Sequence, residues 1–364
     1  MYQEEQLVRI AKRENNTKRT YLVVNEQQGK HIPVSPGKAL AMFQELADCL
    51  QKNYAGETLL LIGFAETATA IGAAVAVQLG AYYMQTTREN IPGVDYIFFS
   101  ESHSHATEQK LVKDDLDQIV PKVDRIIFVE DEVTTGNTIL HGIEMLEQSY
   151  GFGLRFSVAS ILNGMDDAAK ATYAKREIPC HYLVKTDHSQ YAGRVASISE
   201  DGTYIAPIRE LPSVACEKTV FTGCQDARRL VQGSAYQQAC EQLWQQIAQF
   251  HNWQEARILV LGTEEFMYPA LYVANALEQQ GRQVWYHATT RSPIVDSADP
   301  GYPLHVRYQL ESLYDRERKT FLYDIGNYDA VLIVTDALVP GGEDTLLQAV
   351  SWAGNKNIFL VRWK

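Results

Sequence analysis

The sequence predicts an α/β protein with two lobes, each a mostly parallel sheet flanked by helices. Three observations support this fold class. Short apolar runs typical of buried parallel strands alternate with helical patterns along the chain. The length of 364 residues suits two domains better than one. A strand–helix–strand pattern also occurs twice, with similar residues in the same order.

Apolar runs in the first half predict a series of strands. These strands are expected at 58–64, 82–86, 96–100, 125–129, 156–162 and 181–184. Helices are expected over 69–79, which is rich in alanine, and over about 137–148. Because strands and helices alternate, we expect βαβ units in a parallel sheet.

The pattern weakens between about 189 and 233, where Gly, Ser, Pro and charged residues predict a connecting segment. A helical stretch follows, and then further apolar runs. These runs predict strands at 257–261, 283–287, 330–335 and 357–361. The predicted domains are therefore 1–215, which includes the start of the connecting segment, and 216–364.

An internal repeat links the two halves. Each half contains a strand, a glycine, a glutamate three residues later, a helix, a strand and then Thr-Thr-Arg. Farther along, Asp131 aligns with Asp336 and Gly136 with Gly341. We therefore predict that the second lobe is a degenerate copy of the first. The alternative is that any two βα units resemble each other.

Composition excludes several classes of partner. The net charge of −12 disfavours nucleic acid and anionic membranes, because both carry phosphate groups. The five cysteines include no CxxC pair, which fits a reducing compartment, so a cytoplasmic location is expected. No apolar stretch reaches the roughly 18 residues that a membrane-spanning helix needs. The expected ligand is a small molecule.

The run VEDEVTTGNT at 129–138 contains the residues with the clearest chemistry. Glu130 and Asp131 follow a buried strand, at the edge where open α/β sheets bind ligands. The residues that then open a helix are Thr134, Thr135, Gly136, Asn137 and Thr138. Glycine permits close backbone approach, the helix N-terminus offers amides, and threonine hydroxyls donate hydrogen bonds. Acceptors for a vicinal diol followed by a phosphate cradle predict binding of ribose 5-phosphate.

This run resembles the signature of the type I phosphoribosyltransferases that binds 5-phosphoribosyl 1-pyrophosphate (PRPP): two apolar residues, two acids, two variable positions and TTGxT. Over about 33–364, the chain is also similar to two-part proteins of tellurium-resistance-associated biosynthetic clusters. Those proteins join an orotate-phosphoribosyltransferase-like domain to a TRSP domain, named for a Thr-Arg-Ser-Pro motif. Here that motif is Thr290, Arg291, Ser292 and Pro293.

The resemblance implies an activity and its partners. It implies Mg²⁺-assisted transfer of 5-phosphoribosyl from PRPP to a nitrogen of a heterocyclic base, with release of pyrophosphate. It also implies a homodimer. The acidic pair is expected to contact the ribose hydroxyls, and the loop at 134–138 the 5-phosphate.

The resemblance assigns a pyrophosphate loop to Ala65, Glu66 and Thr67, after the first strand. A carboxylate beside pyrophosphate repels it unless Mg²⁺ intervenes, so the metal is expected mainly on PRPP, with Glu66 or Asp131 as the protein contact. The alternative for Glu66 or Thr67 is an N-cap role. Arg88 is expected to neutralise pyrophosphate, and its alternative is a solvated surface arginine.

Two histidines lie in a polar stretch between the third strand and the PRPP motif. In the type I enzymes this stretch is a mobile catalytic loop, so His103 and His105 are predicted to protonate or stabilise the departing pyrophosphate. The alternative is a flexible polar loop. A zinc site is disfavoured because His-x-His supplies only two ligands.

The second lobe lacks the phosphate loop, because Pro340 removes an amide and Glu343 repels phosphate. A different site is predicted at its strand ends. The candidates are Glu264, Glu265, Thr290, Arg291, Ser292 and Asp336. Arg291 is a candidate for binding an anionic acceptor. The alternative is a purely structural lobe.

Other functions also fit the motif. One is a regulator that binds PRPP or a nucleotide without turnover, and another is a hydrolytic or phosphorylase-type reaction on a nucleotide. PRPP synthesis from ATP is disfavoured because the sequence contains no Walker A motif.

Overall fold

A computed structural model describes residues 2–16, 19–99, 109–208, 214–338 and 342–364. Its strands, in chain order, are β1 (Val8–Lys12), β2 (Tyr21–Asn25), β3 (Leu59–Gly63), β4 (Tyr82–Gln85), β5 (Tyr96–Phe98), β6 (Lys110–Val112), β7 (Arg125–Val133), β8 (Phe156–Asn163), β9 (Cys180–Lys185), β10 (Thr203–Ile205), β11 (Glu217–Phe221), β12 (Val231–Gln232), β13 (Arg257–Gly262), β14 (Gln283–Ala288), β15 (Val306–Glu311), β16 (Lys319–Tyr323), β17 (Ala330–Thr335) and β18 (Ile358–Trp363).

The helices, in chain order, are α1 (Glu4–Leu7), α2 (Pro36–Tyr54), α3 (Thr69–Leu79), α4 (Lys113–Ile119), α5 (Asn137–Tyr150), α6 (Asp167–Lys175), α7 (Tyr191–Val195), α8 (Gly233–Phe250), α9 (Tyr268–Gln279) and α10 (Glu343–Trp352). Two 3₁₀ turns cover Val120–Lys122 and His188–Gln190. Within the described ranges, no helix has the length and apolar character needed to cross a membrane.

The chain divides into two compact units, and neither is a continuous segment. The first contains Ala41–Thr186 and Gln225–Gln238, and the second contains Tyr2–Leu40, Asp187–Cys224 and Ala239–Lys364. These units differ in their bounds from the predicted domains 1–215 and 216–364. That the chain folds as two separate domains with those boundaries stays a prediction. Sequence patterns locate strands and helices, but they do not show that the first forty residues pack with the last hundred.

The first unit is built on a sheet with the strand order β12-β4-β3-β7-β8-β9. Its strands are parallel except β12, which runs antiparallel to β4. All side chains of β3 and β8 are buried, so both strands lie in the interior. Helix α3 packs closely on this sheet, because a Cβ at Gly72 would lie 2.8 Å from the ring of Tyr83 and 3.1 Å from the Cα of Gly63.

A separate hairpin follows the second strand of this sheet. Strand β5 pairs antiparallel with β6, and the backbones of Thr87 and Lys110 also bond to each other in both directions. The strand predicted at 96–100 therefore belongs to this hairpin and not to the main sheet. The hairpin partner β6 was not predicted, because it is only three residues long.

The second unit is built on a parallel sheet with the order β11-β18-β17-β13-β14. A smaller sheet, β10-β15-β16, and the β1-β2 hairpin complete the unit. The predicted connecting segment 189–233 therefore contains regular structure. Its helix α7 and strands β10 and β11 belong to the second unit, whereas β12 belongs to the first.

The two units share the topology of a four-stranded parallel core. The first has neighbouring parallel strands in the order β4-β3-β7-β8, and the second has β14-β13-β17-β18 in the equivalent order. In each unit the chain forms an antiparallel hairpin between the second and third core strands in chain order: β5-β6 lies between β4 and β7, and β15-β16 lies between β14 and β17. The internal repeat predicted from sequence is thus present in the fold.

One position of the predicted repeat needs correction. The left-handed glycine that precedes the helix is Gly136 in the first unit (φ 76°) and Gly342 in the second (φ 80°). Gly342 therefore has the conformation of Gly136 at the start of its helix, whereas Gly341, which the sequence aligns with Gly136, lies outside the described residues. The loop of the second unit is one residue longer than the sequence alignment implied.

Candidate active site

The candidate site lies at the carboxyl ends of three neighbouring parallel strands. Strand β3 pairs with β4 on one side and with β7 on the other. The chain leaves β3 and β7 in opposite directions along the sheet, which opens a crevice between them. The predicted pyrophosphate loop follows β3, and the predicted PRPP motif follows β7, so the fold brings these two segments to one edge.

Strand β7 is longer than predicted. Its pairing with β3 ends at Val129, but its pairing with β8 continues to Val133. Glu130 and Asp131 therefore lie within the strand, and not after it as predicted. They come immediately beyond the last β3 pair, where the β3 side of the strand is open to the crevice.

Asp131 contacts the loop that follows β3. The hydroxyl of Thr67 donates a hydrogen bond of 2.7 Å to Asp131 Oδ1. Burial raises the pKa of the Asp131 carboxyl to about 6, even though the Thr67 hydroxyl acts in the opposite direction. Burial, followed by the neighbouring charges of Asp131 and Glu132, raises the pKa of Glu130 well above its usual range. Burial thus makes the ionised forms of both carboxyls unfavourable in the folded protein. Such raised pKa values are typical of residues at functional sites.

The loop after β7 is shaped around Gly136. A Cβ at this glycine would lie 2.6 Å from Tyr173 Oη and 2.7 Å from Met165 Cε, and its φ of 76° also disfavours any other residue, so a substitution would force these side chains to shift. The Tyr173 hydroxyl donates a 2.7 Å hydrogen bond to the Gly136 carbonyl oxygen. The N-cap residue of α5 is Gly136, which has no side chain to cap the helix. Its first amides are therefore positioned to bind an anion.

The remaining loop residues face solvent. Thr135, Asn137 and Thr138 are exposed, and Thr134 is half-buried. The Asn137 amide donates a long 3.4 Å hydrogen bond to Thr135 Oγ1. An anion of phosphate size therefore has access to the loop from outside.

In the loop after β3, hydrogen bonds with two side chains fix the backbone of Ala65. The Ala65 amide donates a 2.8 Å hydrogen bond to Thr86 Oγ1, and the Ala65 carbonyl accepts one of 2.9 Å from Gln109 Nε2. The Ala65–Glu66 peptide bond is cis. The N-cap of α3 is Ala68, so the alternative that Glu66 or Thr67 caps this helix is wrong.

Two residues of this region were not predicted. Thr86 and Gln109 bond to Ala65 and also to each other, over 2.8 Å. The repeated Thr-Thr-Arg was the sequence signal that could have identified Thr86. Its first threonine has the same role in both units, since Thr289 of the second unit accepts a 3.0 Å hydrogen bond from the Glu264 amide. No sequence signal marked Gln109.

Arg88 follows the Thr87–Lys110 bridge and is half-buried. His103 and His105 lie outside the described residues. Within the described ranges, no group of three or more His, Cys, Asp or Glu residues is arranged to hold a metal ion.

The carboxylates at the crevice fit Mg²⁺ only in partnership with a ligand. Glu66, Glu130 and Asp131 offer hard oxygen donors, which Mg²⁺ prefers. They do not form a complete protein-only metal site. An ion held by one or two carboxylates and completed by substrate phosphate oxygens is the usual arrangement for Mg²⁺.

The corresponding edge of the second unit is filled by its own side chains. Glu264 and Glu265 follow β13 and are both 1% exposed. Arg291 pairs with both, at 2.7 Å from Nε to Glu264 Oε2 and 3.2 Å from Nη2 to Glu265 Oε1. The arginine proposed to bind an anionic acceptor is thus already matched by two internal carboxylates.

The loop between β15 and β16 contributes further partners, none of which was predicted. Arg318 Nη2 lies 3.0 Å from Glu264 Oε2, and the Ser312 hydroxyl donates to Glu264 Oε1 over 2.5 Å. The Tyr314 hydroxyl donates to Asp336 Oδ1 over 2.5 Å. Asp336 therefore has a tyrosine hydroxyl beside it, at the position where Asp131 has that of Thr67.

The N-terminal segment also reaches this cluster. Lys30 is fully buried, and its ammonium donates hydrogen bonds of 2.9 Å to the Glu264 carbonyl and 3.0 Å to the Thr289 carbonyl. Lys30 was not predicted, because nothing in the sequence connects it with a loop more than 200 positions away.

Thr290 and Ser292 of the TRSP motif make hydrogen bonds within the second unit. The Thr290 hydroxyl accepts a 3.1 Å hydrogen bond from the Ser292 amide, and the Ser292 carbonyl accepts one of 2.8 Å from Tyr323. Glu343, in the first turn of α10, is buried and lies 3.1 Å from Arg362. A buried acid at this helix start supports the prediction that the second lobe lacks a phosphate cradle.

Comparison with known families assigns both halves of the chain. A model described as phosphoribosyl transferase matches residues 7–190, which is about half of the chain. The chain belongs to the phosphoribosyl transferase family. This phosphoribosyltransferase, a pentosyltransferase by reaction class, carries a second matched region at 228–350, described as the TRSP domain C-terminal to such transferase domains.

Several solved structures are similar to the phosphoribosyltransferase. Adenine phosphoribosyltransferase from Rhodothermus marinus is 16% identical, with 50% of this chain and 96% of that chain covered and a TM-score of 0.36. The Giardia lamblia enzyme, in complex with 9-deazaadenine, is 13% identical, with coverages of 50% and 96% and a TM-score of 0.36. Leishmania donovani UMP synthase is 18% identical, with coverages of 50% and 34% and a TM-score of 0.33. No curated protein matches the chain.

Proposed function

We propose that this phosphoribosyltransferase transfers the 5-phosphoribosyl group of PRPP to a ring nitrogen of a heterocyclic base and releases pyrophosphate, with Mg²⁺ bound to the PRPP. The observation that supports this proposal is the contact between the two loops of the crevice. Thr67, in the predicted pyrophosphate loop, donates to Asp131 of the PRPP motif over 2.7 Å. One ligand with a ribose between two phosphate groups spans such neighbouring loops.

The residues have separate tasks in this reaction. The amides at the start of α5 bind the 5-phosphate, and Gly136 lets the backbone approach it. Glu130 and Asp131, when ionised, accept hydrogen bonds from the two ribose hydroxyls. Bound in this way, the ribose presents C1 to the incoming base.

The bond changes are those of a nucleophilic substitution. The base nitrogen forms a bond to C1 with its lone pair, the bond from C1 to the pyrophosphate oxygen breaks with its electrons, and a neutral base releases its ring N–H proton to solvent. Arg88 is proposed to stabilise the negative charge on the departing pyrophosphate. Mg²⁺, when bound, neutralises phosphate charge as a Lewis acid, with Glu66 or Asp131 as its proposed protein contact.

Calorimetric titration with PRPP and Mg²⁺ tests the proposal. The control is the double variant Glu130→Ala/Asp131→Ala, with its folding checked by circular dichroism. Binding to the natural protein that disappears in the control supports the site. A screen of heterocyclic bases for pyrophosphate release then identifies the acceptor. Absence of PRPP binding refutes the proposal, whereas binding without release for any base identifies a regulator that binds PRPP without turnover.

The second lobe provides a matched comparison. We expect Asp336→Asn to leave PRPP affinity within about twofold of the natural value, because the corresponding edge of that lobe is filled by its own side chains. The same titration measures the effect, with Asp131→Asn as the positive control. A large loss of PRPP affinity in Asp336→Asn contradicts the assignment of the PRPP site to the first unit alone.

A further inference from the structure

Three hydrogen bonds form a closed ring around one residue of the proposed pyrophosphate loop. The Ala65 amide donates to Thr86 Oγ1 over 2.8 Å, and the Thr86 hydroxyl donates to Gln109 Oε1 over 2.8 Å. The Gln109 amide nitrogen then donates to the Ala65 carbonyl over 2.9 Å. Both backbone polar groups of Ala65 are therefore fixed by two side chains from other parts of the fold.

Gln109 lies where it connects two elements. It is the residue before β6, and its carbonyl accepts a 2.8 Å hydrogen bond from the Phe99 amide across the hairpin. Its side chain is half-buried. The side chain thus links the base of the hairpin to the loop after β3. Only one orientation of the amide group satisfies both of its bonds.

The second unit holds the equivalent residue in the same way but with a different donor. The Glu264 amide donates to Thr289 Oγ1 over 3.0 Å, as Ala65 does to Thr86. The Glu264 carbonyl accepts a 2.9 Å hydrogen bond from Lys30, where Ala65 accepts from Gln109. Both copies of the fold therefore anchor the amide and the carbonyl of this loop residue with side chains.

We propose that Gln109 is a positioning residue for pyrophosphate: it fixes Ala65, and through it the conformation of the loop 65–67, so that this loop binds pyrophosphate. This inference rests on the proposed function. The Ala65 amide is already used by Thr86, so the loop meets its ligand through Glu66 and Thr67. Thr67 is anchored to Asp131 on the far side. Gln109 and Thr86 fix the near side.

The test measures the two halves of the PRPP ligand separately. Gln109→Leu removes the hydrogen bonds to Thr86 and to the Ala65 carbonyl while keeping a side chain of similar size. Gln109→Glu keeps an acceptor for Thr86 but removes the donor to the Ala65 carbonyl. Both variants are expected to raise the Kd for Mg²⁺-pyrophosphate about tenfold, because two hydrogen bonds of ordinary strength are lost or weakened. The Kd for ribose 5-phosphate is expected to change by less than about twofold.

Tyr173→Phe is the matched opposite variant. Tyr173 holds the phosphate loop through the Gly136 carbonyl, so its loss is expected to weaken ribose 5-phosphate and to spare pyrophosphate. The pair Thr86→Ser and Thr86→Val gives a second check. Serine retains the hydroxyl and is expected to preserve pyrophosphate affinity, whereas valine is expected to reduce it.

The outcomes separate the two proposals. If the natural protein binds neither ligand, the proposed function is refuted. If the natural protein binds both, and Gln109→Leu weakens both equally or neither, the function stands and the positioning role of Gln109 is overturned. Thermal melting of each variant establishes that the protein titrated is folded.

Discussion

Asp131→Asn is expected to weaken PRPP binding by about one to two orders of magnitude while stabilising the folded protein. The carboxylate accepts charge-assisted hydrogen bonds from the ribose, which contribute roughly 1.5–3 kcal/mol and are lost in the amide. Burial nevertheless makes this charge unfavourable in the empty protein, because it raises the pKa of Asp131 from 3.8 to about 6. Removing the charge at neutral pH therefore adds on the order of 1–3 kcal/mol to the unfolding free energy.

The pH dependence has a definite sign. The folded pKa of Asp131 is raised, so its favourable contribution to stability is complete below pH 3.8 and is lost as the pH rises through about 6. PRPP binding needs the ionised form and is expected to strengthen over the same rise. Titrations between pH 5 and about 8, with denaturant unfolding at each pH, measure both effects. Equal affinity and equal stability of the two proteins at neutral pH would contradict this assignment.

Arg291→Met is expected to destabilise the second unit by about 3–5 kcal/mol. Glu264 and Glu265 are both buried against this arginine, so its removal takes a positive charge away from two buried carboxylates, of which Glu264 also has Arg318 at 3.0 Å. Arg291→Lys is expected to lower the free energy of unfolding by less, because lysine keeps the positive charge. Some loss is still expected, since lysine lacks the forked guanidinium that contacts both carboxylates. Urea unfolding measures the change as a shift of the transition that belongs to this unit.

Arg316→Met is the control for this prediction. Arg316 lies in the same β15–β16 loop, but its side chain is 68% exposed and lies 3.5 Å from Glu311. Such an exposed pair contributes about 0–1 kcal/mol, so little change is expected. If Arg291→Met were as stable as Arg316→Met, the buried cluster would not be a source of stability for the second unit.

Periodicity and local chemistry predicted much of the fold. Mainly apolar runs marked β3 and β17, because strands buried on both faces carry few polar residues. The glycine at position 136 is predicted to let the backbone approach a phosphate, and this stays a prediction. The packing of Tyr173 and Met165 against that glycine was not predicted. The predicted features depend on neighbours along the chain or on the regular geometry of a parallel sheet.

Features that depend on distant pairing were not predicted. The extension of β7 to Val133 follows from the length of β8, which its own sequence does not specify. Gln109, Lys30 and Tyr314 are polar residues without a motif, and their roles arise only when hairpins and termini fold onto the sheets. Glu264 and Arg291 are evident as charged residues in the sequence, but their ion pair depends on their separation in space, which the sequence does not specify.

The interleaving of the two units has a consequence for synthesis on the ribosome. Lys30 and Glu264 are 234 positions apart, and at roughly 5–20 residues per second their separation corresponds to about 10–50 s of translation. The first unit is complete in the nascent chain once Gln238 has emerged. The segment up to Leu40 is made earliest and can contact 187–191 sooner, but throughout that time it must wait for its partners beyond Ala239. The first unit therefore has the opportunity to fold during translation, while the contacts of Lys30 in the second unit form only after Thr289 has been made.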